Sequence, residues 1–152
     1  MAVIRIPTTI TRPANTTTYS ANQQVVDANG IGAHLMDFGS VSLFCNRIYA
    51  LKSTTTTTNA LFRLYLCNQR PTLTGVDGAS ISGATRTNVV AIFSGNFTNA
   101  VSNGAYGVFV DDSGQQPLIN GPMWILIETL AGYAPGSAET FTFQCECFRV
   151  ES

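Results

Sequence analysis

Few residues of this chain could carry out acid–base or nucleophilic chemistry. The sequence contains a single histidine and nine acidic residues among 152 positions. His34 and Asp37 could form a general base with a carboxylate partner. Residues three apart face each other on a helix but point to opposite faces of a strand. The surrounding sequence favours strand or loop, so we interpret His34 as a structural residue.

Asp111 and Asp112 could offer two adjacent carboxylates to calcium. The oxygen-rich loop of an EF-hand is missing around them, and the run Asp-Asp-Ser-Gly is typical of a turn. No run matches a phosphate-binding loop, a nucleophile elbow or a zinc-protease helix. The sequence therefore predicts no catalytic residues, no cofactor and no metal site, and a protein that is not an enzyme.

The four cysteines could form two disulfides or one four-thiolate zinc site. Cys145 and Cys147 leave the same face of a predicted strand about two residue rises apart, which is too far for an unstrained disulfide. Zinc-binding pairs usually lie on a turn, roughly two to four residues apart. We expect buried free thiols at these two positions and at Cys45 and Cys67. A metal site and a longer-range disulfide are the alternatives.

Composition restricts the partners. Hydrophobic residues make up 45% of the chain, charged residues 11%, and the net charge is −1. Such a chain cannot neutralise the phosphates of a nucleic acid, so nucleic acid is not an expected partner. The uncharged run from Thr87 to Val110 is interrupted by polar residues that are costly in a membrane, so we expect no membrane partner. A proline in the opening MAVIRIP argues against a signal peptide and predicts synthesis in a cytoplasm.

Short runs with a period of two, separated by turn signals, indicate strands throughout the chain. Asn29-Gly30, Asp77-Gly78, Asn103-Gly104 and Asn120-Gly121 are typical turn dipeptides. The predicted β segments are 2–6, 16–19, 23–27, 35–44, 46–52, 60–67, 88–93, 106–110, 123–130 and 139–150. They predict an all-β fold: a two-sheet antiparallel β-sandwich, jelly-roll-like in its connections. Residues 1–24 would be an extended N-terminal arm with a first strand, and residues 25–152 a single sandwich domain.

Three runs are apolar on both faces: 89–93, 106–110 and 123–130. A strand of this kind must be covered twice, either inside a sandwich or by a second protein chain. We expect subunit contacts at these runs, and we place Trp124 in the core or in an interface.

Three stretches of the sequence resemble a family of tailed-bacteriophage head proteins. They are ITRPANTTTYSANQQVVD at 10–27, ALFRLYLCNQRPTL at 60–73 and MWILIETLAGYAPGSAETFTF at 123–143. Members of the family are small β-sandwich proteins that decorate or cement the outside of the capsid. The resemblance implies binding to the major capsid protein, self-association as a homotrimer and a location on the virion surface.

The resemblance also implies which residues make contacts. The opening segment from Thr11 to Tyr19 would be an arm that reaches a neighbouring subunit. The capsid or subunit contacts expected in this arm are Thr11, Arg12, Pro13, Thr16, Thr17 and Tyr19. Trp124, from the apolar run 123–130, is a further expected contact.

Two alternatives keep the same fold. A receptor- or glycan-binding module of a phage tail fibre or spike would use a similar trimeric sandwich. A cellular β-sandwich binding domain without a viral connection would have the same composition.

Overall fold

A computed structural model of the chain describes residues 2–72, 76–81 and 88–149. Within these ranges the secondary structure is ten β-strands. They are β1 (Val3–Thr11), β2 (Gln23–Gln24), β3 (Ala33–Asp37), β4 (Leu43–Lys52), β5 (Leu61–Cys67), β6 (Val89–Val101), β7 (Gly104–Asp111), β8 (Leu118–Ile119), β9 (Pro122–Thr129) and β10 (Thr140–Arg149). Every strand pair is antiparallel, which confirms the predicted all-β antiparallel class.

The ten strands belong to one continuous curled sheet that forms a half-barrel. Its strand order is β1-β10-β4-β7-β6-β5-β9-β2, with β3 added to β9 and β8 added to β4. Strand β7 joins the two halves, because one of its edges pairs with β4 and the other with β6. The predicted division into two separate sheets is therefore not evident in this topology.

A glycine allows the close approach of strands at this junction. Gly107 lies on β7, opposite Ala50 of β4 and Phe97 of β6. A Cβ at this position would lie 2.0 Å from the backbone oxygen of Asn96. Glycine within a strand often marks a bend or a close backbone approach, and here it marks the point where the sheet is shared.

The main core fills the concave side of the sheet. Its centre is a group of aromatic rings in edge and tilted contacts, formed by Phe62, Phe97, Phe109, Tyr133, Phe141 and Phe143. The alternation of apolar and polar residues in 139–149 predicts one buried face. The structure confirms it, because Phe141, Phe143, Cys145 and Cys147 all face this core.

The alternation in residues 60–67 predicts a strand whose one face, with Arg63, Tyr65 and Cys67, is in contact with water, and β5 differs from this prediction. Tyr65 and Cys67, predicted to be on that face, are buried. They pack with Ala33 and Leu126 in a second, smaller cluster on the other side of the sheet. The physical reason is that side chains of β6 and β9, including the Trp124 ring, also pack on this side, which the sequence of β5 alone does not show.

Several predicted boundaries are wrong. Residues 16–19 form no strand, and the predicted segment 35–44 is broken between β3 and β4. Gly39, with φ of +72°, lies in that break. The predicted strand 88–93 continues to Val101 and pairs with β7. Of the four turn dipeptides, those ending in Gly30, Gly78 and Gly121 have the expected positive φ, whereas the glycine at position 104 does not.

Part of the predicted N-terminal arm is built into the sheet. Strand β1 pairs with β10 along its whole length, from Val3 opposite Phe148 to Thr11 opposite Thr140. It is the edge strand of the sheet path. The division of the chain at residue 24 stays a prediction.

Candidate functional site

His34 and Asp37 do not form a catalytic pair. Both lie on β3, three positions apart, and their side chains leave opposite faces as expected for a strand. His34 is buried, and no partner bonds its Nε2 among the residues that the structure describes. Burial lowers the pKa of His34, and the charge of Asp27 only partly opposes this. Asp37 is exposed and accepts a hydrogen bond from the Gly39 backbone N–H at 2.9 Å.

Asp111 and Asp112 belong to a turn. Asp111 Oδ1 accepts the backbone N–H of Ser113 at 2.9 Å and also the Ser113 hydroxyl. The backbone oxygen of Asp111 accepts the N–H of Gly114 at 3.0 Å, which closes the turn. Asp112 lies 3.4 Å from Arg63 in a partly exposed ion pair. Both carboxylates therefore have structural roles in this geometry.

Arg12 and Tyr19, two of the predicted contact residues, are buried within the chain. The Arg12 Nη2 group lies 3.0 Å from Asp77 Oδ2, and its Nε donates to the Tyr19 hydroxyl. Tyr19 donates to Asp77 Oδ1 at 2.6 Å, and the same oxygen accepts the Val26 backbone N–H at 2.9 Å. Burial and the hydrogen bond to Asp77 raise the pKa of Tyr19. This network fixes the segment after β1 to the rest of the fold, so neither side chain is available at the surface.

The other predicted contact residues are more accessible. Thr11, Thr16 and Thr17 are exposed, and Pro13 is half-buried. Pro13 and Thr17 line a groove of about 500 Å³ above Tyr19 and Asp77. Trp124 is half-buried on β9 and packs against the smaller apolar cluster. The contact role of Trp124 and of the N-terminal residues stays a prediction.

A second buried polar network joins Lys52 to Glu139. Lys52 Nζ lies 3.2 Å from Glu139 Oε1 and donates to Thr54 Oγ1 at 2.7 Å. Tyr133 donates to the Glu139 carboxylate at 2.7 Å. Burial lowers the pKa of Lys52, and the charge of Glu139 opposes that effect. The alternation Ile48, Ala50, Lys52 places the lysine on the inner face, a signal that the sequence analysis missed.

Three of the four cysteines meet in the core. Cys45 Sγ lies 3.4 Å from Cys147 Sγ, which in turn lies 3.4 Å from Cys145 Sγ. Their predicted burial is confirmed, and Cys67 is buried separately in the smaller cluster. The spacing of Cys145 and Cys147 does not indicate this group, because the third thiol, Cys45, lies on the neighbouring strand.

The convex side of the sheet carries an uncharged surface, which we call the outer face. It consists of Tyr49, Leu51, Tyr106, Val108, Val110, Thr142 and Gln144 on three adjacent strands. Leu51 is 50% exposed, and the exposed fractions of Tyr106, Val108 and Val110 are 45%, 41% and 56%. None of the seven residues is charged. Ionic groups lie at one margin, where Arg47 and Arg5 contact Glu146.

The three doubly apolar runs have different environments. The run 123–130 is buried on both faces within the chain, from Ile125 to Thr129. The run 106–110 is buried on one face only, and its other face belongs to the outer face. Val90 in the run 89–93 is also exposed. The expectation of subunit contact therefore remains for the runs 106–110 and 89–93.

The outer face also contains a shallow groove of about 290 Å³. Tyr49 and Tyr106 provide aromatic walls, and Thr142 and Gln144 provide polar groups. The guanidinium groups of Arg5 and Arg47 lie over the Tyr49 ring, 5.6 Å and 5.0 Å from its centroid. The arrangement can pack an apolar side chain or a flat ring.

Comparison with known proteins gives no family. No protein-family model matches the chain, and no curated protein matches it. Among solved structures, the chain is similar to a family two carbohydrate esterase from Cellvibrio japonicus at 9% identity and a TM-score of 0.18. The match covers 98% of this chain and 37% of the esterase chain. So low a TM-score carries no argument about fold or activity.

No helix among the described residues has the length and apolar character needed to cross a membrane.

Proposed function

We propose that this chain is a virion structural protein that binds the outer surface of a bacteriophage capsid and stabilises it. The observation that carries the proposal is the outer face, where four apolar side chains are exposed on β4 and β7 beside half-buried Tyr49, Thr142 and Gln144. Contiguous apolar surface of this kind commonly marks a protein–protein contact. The three stretches that resemble decoration and cement proteins support the same function.

The charge of the chain suits a protein present in many copies on a shell. A net charge of −1 adds little repulsion between neighbouring copies. Burial of apolar area contributes about 25 cal/mol per Å², although association entropy offsets much of this at each copy. Many modest contacts would therefore stabilise a capsid without any reactive group.

The proposal extends to the partners and the location. The partner is the major capsid protein, and the chain self-associates as a homotrimer on the virion surface. It acts by adhesion and not as an enzyme. The jelly-roll-like two-sheet sandwich of similar proteins stays a proposal for this chain.

Sedimentation with capsid shells tests the function. Expanded shells of the major capsid protein from the same genome would be incubated with the purified chain and pelleted. We expect the wild-type chain to pellet with the shells and Leu51→Glu to lose at least about tenfold in affinity, since a buried unpaired charge is costly. The control is Leu35→Glu on β3, because Leu35 is also a strand leucine and is 54% exposed.

Two outcomes would refute the proposal: no association of wild-type chain with shells, or equal losses in both variants. Light scattering of the free chain tests the trimer separately. A chain that is monomeric at all concentrations would contradict the proposed homotrimer.

The groove between Tyr49 and Tyr106 favours a second candidate, a glycan-binding module of a tail fibre or spike. Aromatic walls beside an amide and a hydroxyl suit the apolar face and the hydroxyl groups of a sugar ring. A glycan array distinguishes the two. Reproducible binding that Tyr106→Ala abolishes, together with absence of the chain from purified heads, would favour the glycan function.

A further inference from the structure

The cysteine cluster has the composition of a soft-metal site. Cys45, Cys145 and Cys147 each place a sulfur within 4.8 Å of the other two. All three side chains have no exposed surface. The cluster comes from two neighbouring strands, β4 and β10, so the fold and not a local loop brings the sulfurs together.

A β-bulge is needed to build the cluster. Glu146 pairs with Arg47, but the next residue, Cys147, pairs with Cys45, so Asn46 is the extra residue on β4. Side chains alternate between the two faces of a regular strand, so residues three positions apart lie on opposite faces. Without the extra residue, Cys45 would therefore face outward, because Ile48 faces the core. The bulge reverses this alternation and turns Cys45 inward. Bulges that redirect one side chain are frequent at functional sites.

We propose that Cys45, Cys145 and Cys147 bind a single Cu(I) ion through their sulfur atoms. Thiolate ligands favour Cu(I), zinc and iron–sulfur centres. Structural zinc sites require four ligands in a tetrahedron, and this cluster offers three donor atoms among the described residues. Cu(I) is stable with two or three sulfur ligands, which matches the number available.

The spacing of the sulfurs is close to that of a three-coordinate ion. Three sulfurs placed about 2.3 Å from one central metal in a plane would be about 4.0 Å apart. The two observed Sγ–Sγ distances are both 3.4 Å. Small rotations of the side chains would therefore admit the ion without a change in the strands.

Binding of the ion should depend on pH. Each thiol that binds the ion as a thiolate releases a proton, so the affinity for Cu(I) should rise with pH.

The ion could reach the cluster past the edge strand. Ile4 and Ile6 of β1 lie opposite Cys147 and Cys145 and are only partly buried. Edge strands open more readily than central ones, so local opening of β1 would expose the sulfurs without unfolding the core.

Competition with a chelator tests the proposal. Reduced protein would be titrated without oxygen against the Cu(I) complex of bicinchoninate, and X-ray absorption would be recorded on the loaded protein. We expect one ion per chain, two or three sulfur neighbours at roughly 2.3 Å, and tighter binding at higher pH. Cys45→Ala and Cys147→Ala should each lose roughly tenfold or more in affinity.

Cys67→Ala is the matched control, because Cys67 is an equally buried thiol outside the cluster. It should bind Cu(I) like the wild type. Circular dichroism of each metal-free variant checks folding. If a variant does not fold, the X-ray absorption spectrum of the loaded wild type still tests whether sulfur atoms bind the ion. Three results would overturn the proposal. The first is an equal loss of Cu(I) affinity in Cys67→Ala, and the second is a set of nitrogen or oxygen neighbours in place of sulfur. The third is failure of the reduced wild type to compete with bicinchoninate for Cu(I). A Cys45–Cys147 disulfide in protein that binds no Cu(I) after reduction would also overturn it.

Discussion

Lys52 and Glu139 form an ion pair in which neither side chain has exposed surface, with Nζ 3.2 Å from Oε1. The pair lies beside the aromatic core, and Lys52 Nζ is 5.5 Å from the centre of the Tyr133 ring. The carboxylate also accepts hydrogen bonds from Tyr133 and Thr54. Desolvation of two charges offsets much of their attraction, so such a pair stabilises a fold mainly by leaving no charge without a partner.

Glu139→Leu should lower the free energy of unfolding by about 3–5 kcal/mol, because it leaves the Lys52 ammonium buried and unpaired. The double variant Lys52→Met with Glu139→Leu should recover a large part of this loss, since it removes both charges. Urea denaturation of the two variants and the wild type measures both effects. A double variant no more stable than Glu139→Leu would contradict the role given to the pair.

Asp77→Asn should lower the free energy of unfolding by about 2–3 kcal/mol, because the buried Arg12 guanidinium loses its charged hydrogen-bond partner. The control is Asp112→Asn, whose ion pair with Arg63 is partly exposed and should contribute less than about 1 kcal/mol. Thermal unfolding monitored by circular dichroism compares them. Equal stability of the two variants would show that Arg12 does not depend on Asp77.

The periodic part of the fold can be predicted from sequence. Strand β10 shows this, because the alternation of phenylalanines and threonines in its sequence is enough to specify which face is buried. Strand β5 shows where prediction from periodicity fails, since Tyr65 is buried by residues from β3 and β9 that lie far from it in sequence. Contacts of this kind depend on topology, which a period of two does not specify.

The buried polar groups show a second limit. Arg12 and Tyr19 occur in a Thr-rich segment that resembles an exposed arm, and Asp77 follows them by more than fifty residues. Nothing in the local pattern links the three. The cysteine cluster similarly depends on a one-residue bulge at Asn46, which changes the face of Cys45 without any turn signal in the sequence.

Gly107→Ala should destabilise the fold by about 1–3 kcal/mol, because its Cβ would lie 2.0 Å from the Asn96 oxygen and force apart the strands on either side of β7. Gly132→Ala is the control. Its Cβ would lie 3.7 Å from the nearest atom outside its chain neighbours, the Tyr19 oxygen, an ordinary contact. Guanidinium denaturation compares the two. A Gly107→Ala variant as stable as the control would mean that the strands at this junction are farther apart than described.

Glu146 should make stability depend on pH through its contacts with Arg47 and Arg5. Burial alone would raise the pKa of this carboxyl, but hydrogen bonds donated by Asn46 and Arg47 and the charges of both arginines outweigh it, so its pKa lies below the ordinary value of 4.5. The folded chain therefore binds this proton less readily than the unfolded chain. The resulting stabilisation is fully present above pH 4.5 and is lost as the pH falls through the lowered pKa.

Glu146→Gln should accordingly be less stable than the wild type by about 1 kcal/mol at neutral pH, a modest value because both arginines are well exposed. The difference should shrink as the pH falls below 4.5 and close at still lower pH, where the wild-type carboxyl is protonated. Urea denaturation at a series of pH values measures it. High salt provides the control, since screening should reduce the difference at neutral pH. A difference that stays constant from neutral to acid pH would mean that Glu146 stabilises the sheet through packing and not through its charge.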